Sequence, residues 1–211
     1  MGTSKRNLSG EIKNLLKRET LENINNSAPK LTKKILTEKV LKDTFDQEKT
    51  IDISLKIITN QFISLNSRGF NGKEKKELVM DSISQQEFLE MILEQIESST
   101  TIQSKILEKA LKIVMCKFLE LEHFDTYTFA QTLFYEIIYQ ILLKELHDNI
   151  KDIYEEIEYN LIQKMVTNVA NKIMNSVVYA KVNLFIDRKI SLNDVLEEIS
   201  KQTSTASFGE F

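Results

Sequence analysis

Hydrophobic residues recur every three or four positions along most of the chain, the spacing that places them on one face of an α-helix. The clearest stripe advances in steps of 4, 3, 4 and 3: Ile51, Leu55, Ile58, Phe62 and Leu65. Similar stripes, separated by polar or turn-forming residues, predict about seven to nine helices. The expected ranges are 9–25, 30–46, 51–66, 73–80, 84–97, 102–122, 124–146, a helical continuation to about 185, and 192–201.

Glycine and proline are almost absent, which restricts the fold class. The 211 residues include five glycines and one proline, and neither type occurs between Lys73 and Phe208. Tight turns between strands use these residues heavily, so a long stretch without them disfavours sheets. The pattern predicts an all-α protein, a multi-helix bundle with a basic N-terminal helical arm.

Polar residues between the stripes predict where helices begin. Ser84-Gln-Gln-Glu87 has the spacing of a capping box, in which the serine and the glutamate each bond a backbone N–H of the other. Ser98-Ser-Thr-Thr101 is expected to cap the helix that follows it. Asp125 or Thr126 is expected to cap the helix after that, and Ser191 the last helix.

Charge is distributed unevenly along the chain. The net charge is −3 overall, but residues 1–49 carry eleven Lys or Arg against seven Asp or Glu. This asymmetry predicts a basic helical arm over 1–49, a helical bundle over 50–203 and a flexible polar tail over 204–211. No internal repeat is apparent.

The helix predicted at 124–146 is apolar around most of its circumference. A narrow polar ribbon follows every fourth residue: Thr128, Thr132, Glu136, Gln140 and Lys144. These residues interrupt the roughly 20 apolar residues that a bilayer requires, so the sequence predicts a central bundle helix and no transmembrane segment. Tyrosine hydroxyls need hydrogen-bond partners, which suits a core margin or an interface. Tyr127, Tyr135 and Tyr139 are therefore predicted to contact a partner.

Candidate catalytic and metal-binding groups are sparse. Glu120 and His123 have the Glu-x-x-His spacing of di-iron bundles, but such sites need a second motif, and Lys144 stands where its glutamate would be. Both residues fall beside lysines, on the side opposite an inward face that includes Leu121. Cys116 lies on the same side, where lysines would favour its thiolate, although an inert role is the stronger expectation. We predict no catalytic, cofactor-binding or metal-binding residue.

Lysines on the arm provide the other candidate surface. Lys30, Lys33 and Lys34 lie close together and are predicted to contact a partner. They could bind phosphates, but arginine is rare and no aromatic residue interleaves with them, which disfavours nucleic acid. Acidic residues among the lysines of the first helix disfavour contact with a membrane surface.

The sequence therefore predicts a non-enzymatic interaction or scaffold protein that acts in a larger assembly or a homo-oligomer. Its partners would be proteins, including copies of itself. The alternative is a nucleic-acid-associated protein that uses the basic arm. A single cysteine and the absence of an apolar leader favour a reducing intracellular compartment such as the cytoplasm, or a virion interior.

Overall fold

The chain forms an all-helical bundle. The structure, a computed structural model, describes the backbone of residues 2–209 and the side chains of residues 7–20 and 23–209. Within that part there are eleven α-helices and two 3₁₀ turns, Leu21–Ser27 and Thr203–Thr205. The helices are α1 Gly2–Leu16, α2 Ala28–Ile35, α3 Glu38–Phe45, α4 Glu48–Arg68, α5 Lys75–Met80, α6 Ser82–Ser99, α7 Lys105–Leu119, α8 Thr126–Ile153, α9 Tyr159–Ile173, α10 Ser176–Ile186 and α11 Leu192–Gln202.

The all-α class is confirmed, but the predicted number of seven to nine helices is wrong. The predicted helix at 30–46 is divided at Leu36, and the hydroxyl of Thr37 then accepts from the backbone N–H of Val40 to begin α3. The predicted continuation to 185 is divided twice. Helix α8 ends at Ile153 and α9 begins at Tyr159, and the Asn175 side chain then accepts from two backbone N–H groups to start α10. Polar N-caps begin new helices here without glycine or proline, so the absence of these two residue types does not imply longer helices.

Two predicted caps are confirmed. The Asp125 carboxylate accepts from the backbone N–H of Thr128 at 2.7 Å and begins α8. Ser191 forms a reciprocal capping box with Asp194 at the start of α11.

Two other predicted caps are wrong. Ser84 lies inside the first turn of α6, which Asp81 caps. The hydroxyl of Ser104, and not the run at 98–101, accepts from the N–H of Leu107 to begin α7. In both cases another side-chain oxygen, which accepts from a backbone N–H, lies nearer the true start of the helix.

Helix α8 occupies the centre of the bundle, as its apolar circumference predicts. It contacts α1, α2, α4, α7, α9 and α10, and thirteen of its 28 residues are buried. Four phenylalanines from three elements pack their rings together near its start: Phe62, Phe118, Phe124 and Phe129. The Glu136 carboxylate and the Gln140 amide of its polar ribbon are buried as well.

Both chain ends contribute side chains to this core. Ile12, Leu31 and Phe45 from the N-terminal region belong to the same buried cluster as the α8 residues. Near the other end, Phe208 is buried and its N–H donates to the Asn25 side chain at 2.6 Å. The predicted boundaries at residues 49 and 203 remain predictions.

Among the described residues, no helix has the length and apolar character needed to cross a bilayer. This agrees with the absence of a transmembrane segment predicted from the polar ribbon of α8.

Candidate docking groove

A groove of about 840 Å³ opens on the surface between two regions of the chain that are about 40 positions apart in sequence. One wall comes from the C-terminal end of α4 together with α5, and the other from the end of α7 and the residues after it. We call this feature the docking groove. It is lined by residues 65–69, 74–76, 79–80 and 119–123.

Gly69 makes the first wall possible. Its φ of +70° lies in the left-handed region, and a Cβ at this position would stand 2.1 Å from the carbonyl oxygen of Lys73. Only glycine allows that approach, which brings Phe70 and Lys73 into a short bridge. The chain therefore reverses sharply after α4, and α5 returns beside its end.

The junction between α5 and α6 is fixed by Asp81. Its carboxylate caps the N–H of Ile83 at 3.1 Å and accepts from the Ser84 hydroxyl at 2.7 Å and from the Lys73 ammonium. These donors, the Lys73 ammonium first, hold the pKa of Asp81 below its ordinary value of 3.8. Met80 precedes this junction directly, so the same contacts restrain the backbone next to it.

Apolar side chains are exposed on both walls. Met80 is 89% exposed on the α5 wall, and Leu121 is 44% exposed on the α7 wall. Leu65 and Leu119 are buried beneath them at the base of the groove. Two further exposed apolar residues, Ile63 and Ile83, lie on α4 and α6, which adjoin the groove in sequence.

The position of Leu121 corrects the prediction that it faces the core. Helix α7 ends at Leu119, and the backbone after it no longer follows the helical stripe. The next apolar position in the pattern therefore turns outward. Lys75 stabilises this end, because its ammonium donates to the carbonyl oxygen of Leu121 at 2.5 Å. Burial lowers the pKa of Lys75.

The two walls also differ in charge. Arg68 and Lys76 lie on the α4 and α5 wall, and Glu120 and Glu122 lie on the α7 wall. All four are exposed, and among the described side chains none of the four forms an ion pair. The first wall also carries Lys75 and the exposed Glu74, whose carboxylate accepts from the backbone N–H of Glu77 in the capping box of α5, so three cationic side chains outnumber one carboxylate there. The groove thus presents a basic and an acidic wall on either side of an apolar base.

The three tyrosines predicted to contact a partner all have contacts within the chain. The Tyr127 hydroxyl donates to Asp187 at 2.6 Å. Tyr135 and Tyr139 stack at a centroid distance of 6.3 Å and pack against the core. Burial raises the pKa of Tyr135 to about 12. Their role in partner binding remains a prediction, and the structure does not place them in the docking groove.

The predicted lysines lie on α2, a different element from the groove walls. Lys30 and Lys33 are exposed, whereas the Lys34 ammonium contacts the Glu11 carboxylate at 2.5 Å. Lys34 is therefore partly neutralised by α1, and contact of this group with a partner remains a prediction.

Glu120 and His123, weighed above as half of a di-iron motif, line the groove. Among the described residues, no group of three or more His, Cys, Asp or Glu side chains is placed to hold a metal ion.

The expectation that lysines favour the Cys116 thiolate is wrong. Desolvation and the neighbouring Glu120 carboxylate raise the pKa of Cys116, so the thiol form is favoured.

The sequence pattern did not single out Met80 or Leu121, the two exposed apolar residues of the groove. Met80 resembles one more member of an apolar stripe, and Leu121 continues the spacing of α7. The available signal was their context, because each lies at a helix end next to a run of charged residues rather than inside a continuous stripe.

Comparison with known proteins gave no match: no protein-family model, no curated protein and no solved structure is significantly similar to this chain.

Proposed function

We propose that the chain is a non-enzymatic helical interaction protein, and that the docking groove binds a helical segment of a protein partner. The observation that carries this proposal is the exposed pair Met80 and Leu121 between two oppositely charged walls. A helix with one apolar stripe and charges of both signs beside it complements this surface.

Exposed apolar side chains on several elements support a protein partner. Burying them against another surface removes apolar area from water, which is favourable by about 25 cal/mol per Å². Methionine suits such a surface, since its flexible thioether adapts to different shapes. The flanking charges would then form the polar rim typical of protein interfaces.

The groove fits a small-molecule site less well. Such sites enclose most of the ligand and direct a few polar groups into an apolar cavity. Here Arg68, Lys76 and Glu120 are exposed at the rim rather than buried around a ligand.

An enzymatic site is also less well supported. Burial lowers the pKa of the groove residue Lys75, and its ammonium donates to the carbonyl oxygen of Leu121 beyond the end of α7. A catalytic lysine would need a neighbouring acid or base placed for proton transfer. This arrangement stabilises the end of α7 instead.

A displayed library of random helical peptides tests the proposal. Peptides are selected for binding to the full wild-type chain. Their affinities for the wild-type chain and for the M80E/L121E variant are then compared. We expect affinity to fall at least tenfold, because two carboxylates would occupy the apolar contact. The matched control is V177E, which places a glutamate at an exposed apolar position on α10 and should leave affinity unchanged. Peptides that bind all three proteins equally would overturn the proposal.

The second candidate remains a nucleic-acid-associated protein, favoured by the exposed Lys30 and Lys33 on α2. Its test is binding of a random-sequence duplex and a single strand at increasing salt. Steep salt dependence that K30E/K33E abolishes would support it. Binding that does not change in the variant would exclude it.

A further inference from the structure

We infer that the protein partner of the docking groove is a second copy of this chain, bound face to face about a two-fold axis that runs along the groove, so that the helical segment it presents is its own wall of α4 and α5. This inference rests on the proposed function, because it names the occupant of the same site. The inference depends on the opposite charges of the two groove walls and on the apolar residue that each wall exposes.

Rotation about such an axis brings opposite walls together. In an isologous dimer, each residue on one side of the axis faces the residues on the other side in the partner. The basic wall with Arg68 and Lys76 would then face the acidic wall with Glu120 and Glu122 of the second copy. The same contact forms twice, so four exposed charges in each chain gain partners of opposite sign.

The apolar side chains follow the same rule. Met80 lies on the basic wall and Leu121 on the acidic wall. The rotation therefore brings the wall that carries Met80 in one copy against the wall that carries Leu121 in the other, again twice. A single surface thus complements itself in both charge and apolar contact, whereas an unrelated partner would need to supply both patterns.

The groove already has a fixed shape in one copy. The Lys75 ammonium links its two walls through the Leu121 carbonyl, and Asp81 fixes the junction next to Met80. Binding between preformed surfaces avoids the entropy cost of ordering loops.

The test uses paired charge reversals followed by sedimentation velocity of the full chain. R68E/K76E makes both walls acidic, and E120K/E122K makes both walls basic. Each variant alone would juxtapose like charges across the axis, but an equimolar mixture would place acidic walls against basic walls. We examine each protein, and the mixture, at concentrations up to about 200 µM, a range that detects weak homodimers.

Matched controls separate local charge from total charge. K164E/K172E changes the net charge of the chain by the same amount as R68E/K76E, but at two exposed lysines on α9. E155K/E156K changes the net charge by the same amount as E120K/E122K, but at exposed positions after α8. Circular dichroism of every variant verifies that the helices are retained.

We expect the wild-type chain and both controls to form a dimer. Each charge-reversed variant alone should show a dissociation constant at least tenfold higher than that of the wild-type dimer. The equimolar mixture should form the heterodimer. A wild-type chain that stays monomeric, or a mixture that fails to associate, would overturn the inference. In the first case, library peptides that still require Met80 and Leu121 would leave the proposed function standing with a different partner. A dimer unaffected by either reversal would also overturn it.

Discussion

The middle of α8 and the docking groove both combine apolar and charged side chains, but they differ in where the charges find partners. In α8, the Glu136 carboxylate is 4% exposed and accepts from Lys117 at 2.9 Å and from Gln140 at 2.8 Å. In the groove, the charges of Arg68, Lys76 and the two glutamates face solvent. The buried charge of α8 therefore has hydrogen-bond partners within the chain, and the four exposed charges of the groove have no ion-pair partner among the described side chains.

This difference distinguishes polar side chains that stabilise the fold from polar side chains that are candidates for binding a partner. A buried carboxylate needs internal donors, so the ribbon of α8 is explained by the fold itself. Exposed apolar residues flanked by unpaired charges have no such explanation within one copy. The aromatic helix that dominates the sequence therefore belongs to the core, and the less conspicuous ends of α5 and α7 provide the candidate interface.

The largest expected effect comes from truncating the core. Phe129 is fully buried and packs against Phe62, Phe118 and Phe124. Phe129→Ala should lower the free energy of unfolding by about 3–5 kcal/mol through lost burial and the resulting cavity. Met80→Ala should change it by less than about 0.5 kcal/mol, since Met80 is exposed. Urea denaturation measures both, and similar losses would contradict the division into core and interface.

A smaller effect is expected at the buried carboxylate. Lys117→Met removes the cation that pairs with Glu136 and should cost about 1–2 kcal/mol, because the carboxylate then lacks a charged donor. Lys112→Met provides the control. Its partner Glu108 is partly exposed, so the loss should stay below about 0.5 kcal/mol. Equal losses in urea denaturation would show that the α8 ribbon is not internally stabilised as described.

The Asp81 junction gives a pH-dependent prediction. The folded pKa of Asp81 lies below the ordinary value of 3.8, so its ionised form stabilises the fold above that pH. The contribution should fall as pH decreases below about 3.8 toward the folded pKa. Asp81→Asn should therefore reduce stability at pH 7, and the difference from wild type should shrink at pH 3. A difference that grows on acidification would contradict this assignment.

The smallest effect is expected at Tyr127. Its hydroxyl donates to Asp187 on the surface, and the contact is open to water. Tyr127→Phe should leave the unfolding midpoint and the dimer dissociation constant unchanged. A marked loss of self-association would instead locate the interface at the tyrosines of α8, as the sequence predicts.

Sequence patterns predicted the fold class and the central helix because both follow from periodic burial. Helix starts were predictable where the capping residue stood directly before the first residue of the helix, as at Asp125, which was predicted together with Thr126, and at Ser191. They were missed where several oxygen-bearing side chains competed, as at Asp81 and Ser84. The break at Thr37 was also missed, since α2 and α3 share one continuous apolar spacing.

The groove could not be predicted in the same way. It forms because Gly69 returns α5 beside the end of α4, and α7 then ends next to both. Residues 40 to 50 positions apart come together only in the tertiary structure, so the local spacing of apolar residues does not predict their contact. The charges on the walls were visible in the sequence, but their placement on opposite sides of one groove was not.

Hydrogen–deuterium exchange at low and high protein concentration tests the central claim most directly. We predict slower exchange at high concentration in residues 66–83 and 119–123, which form the groove walls. Unchanged exchange there would contradict the account, and protection confined to residues 127–139 or 30–34 would place the interface elsewhere.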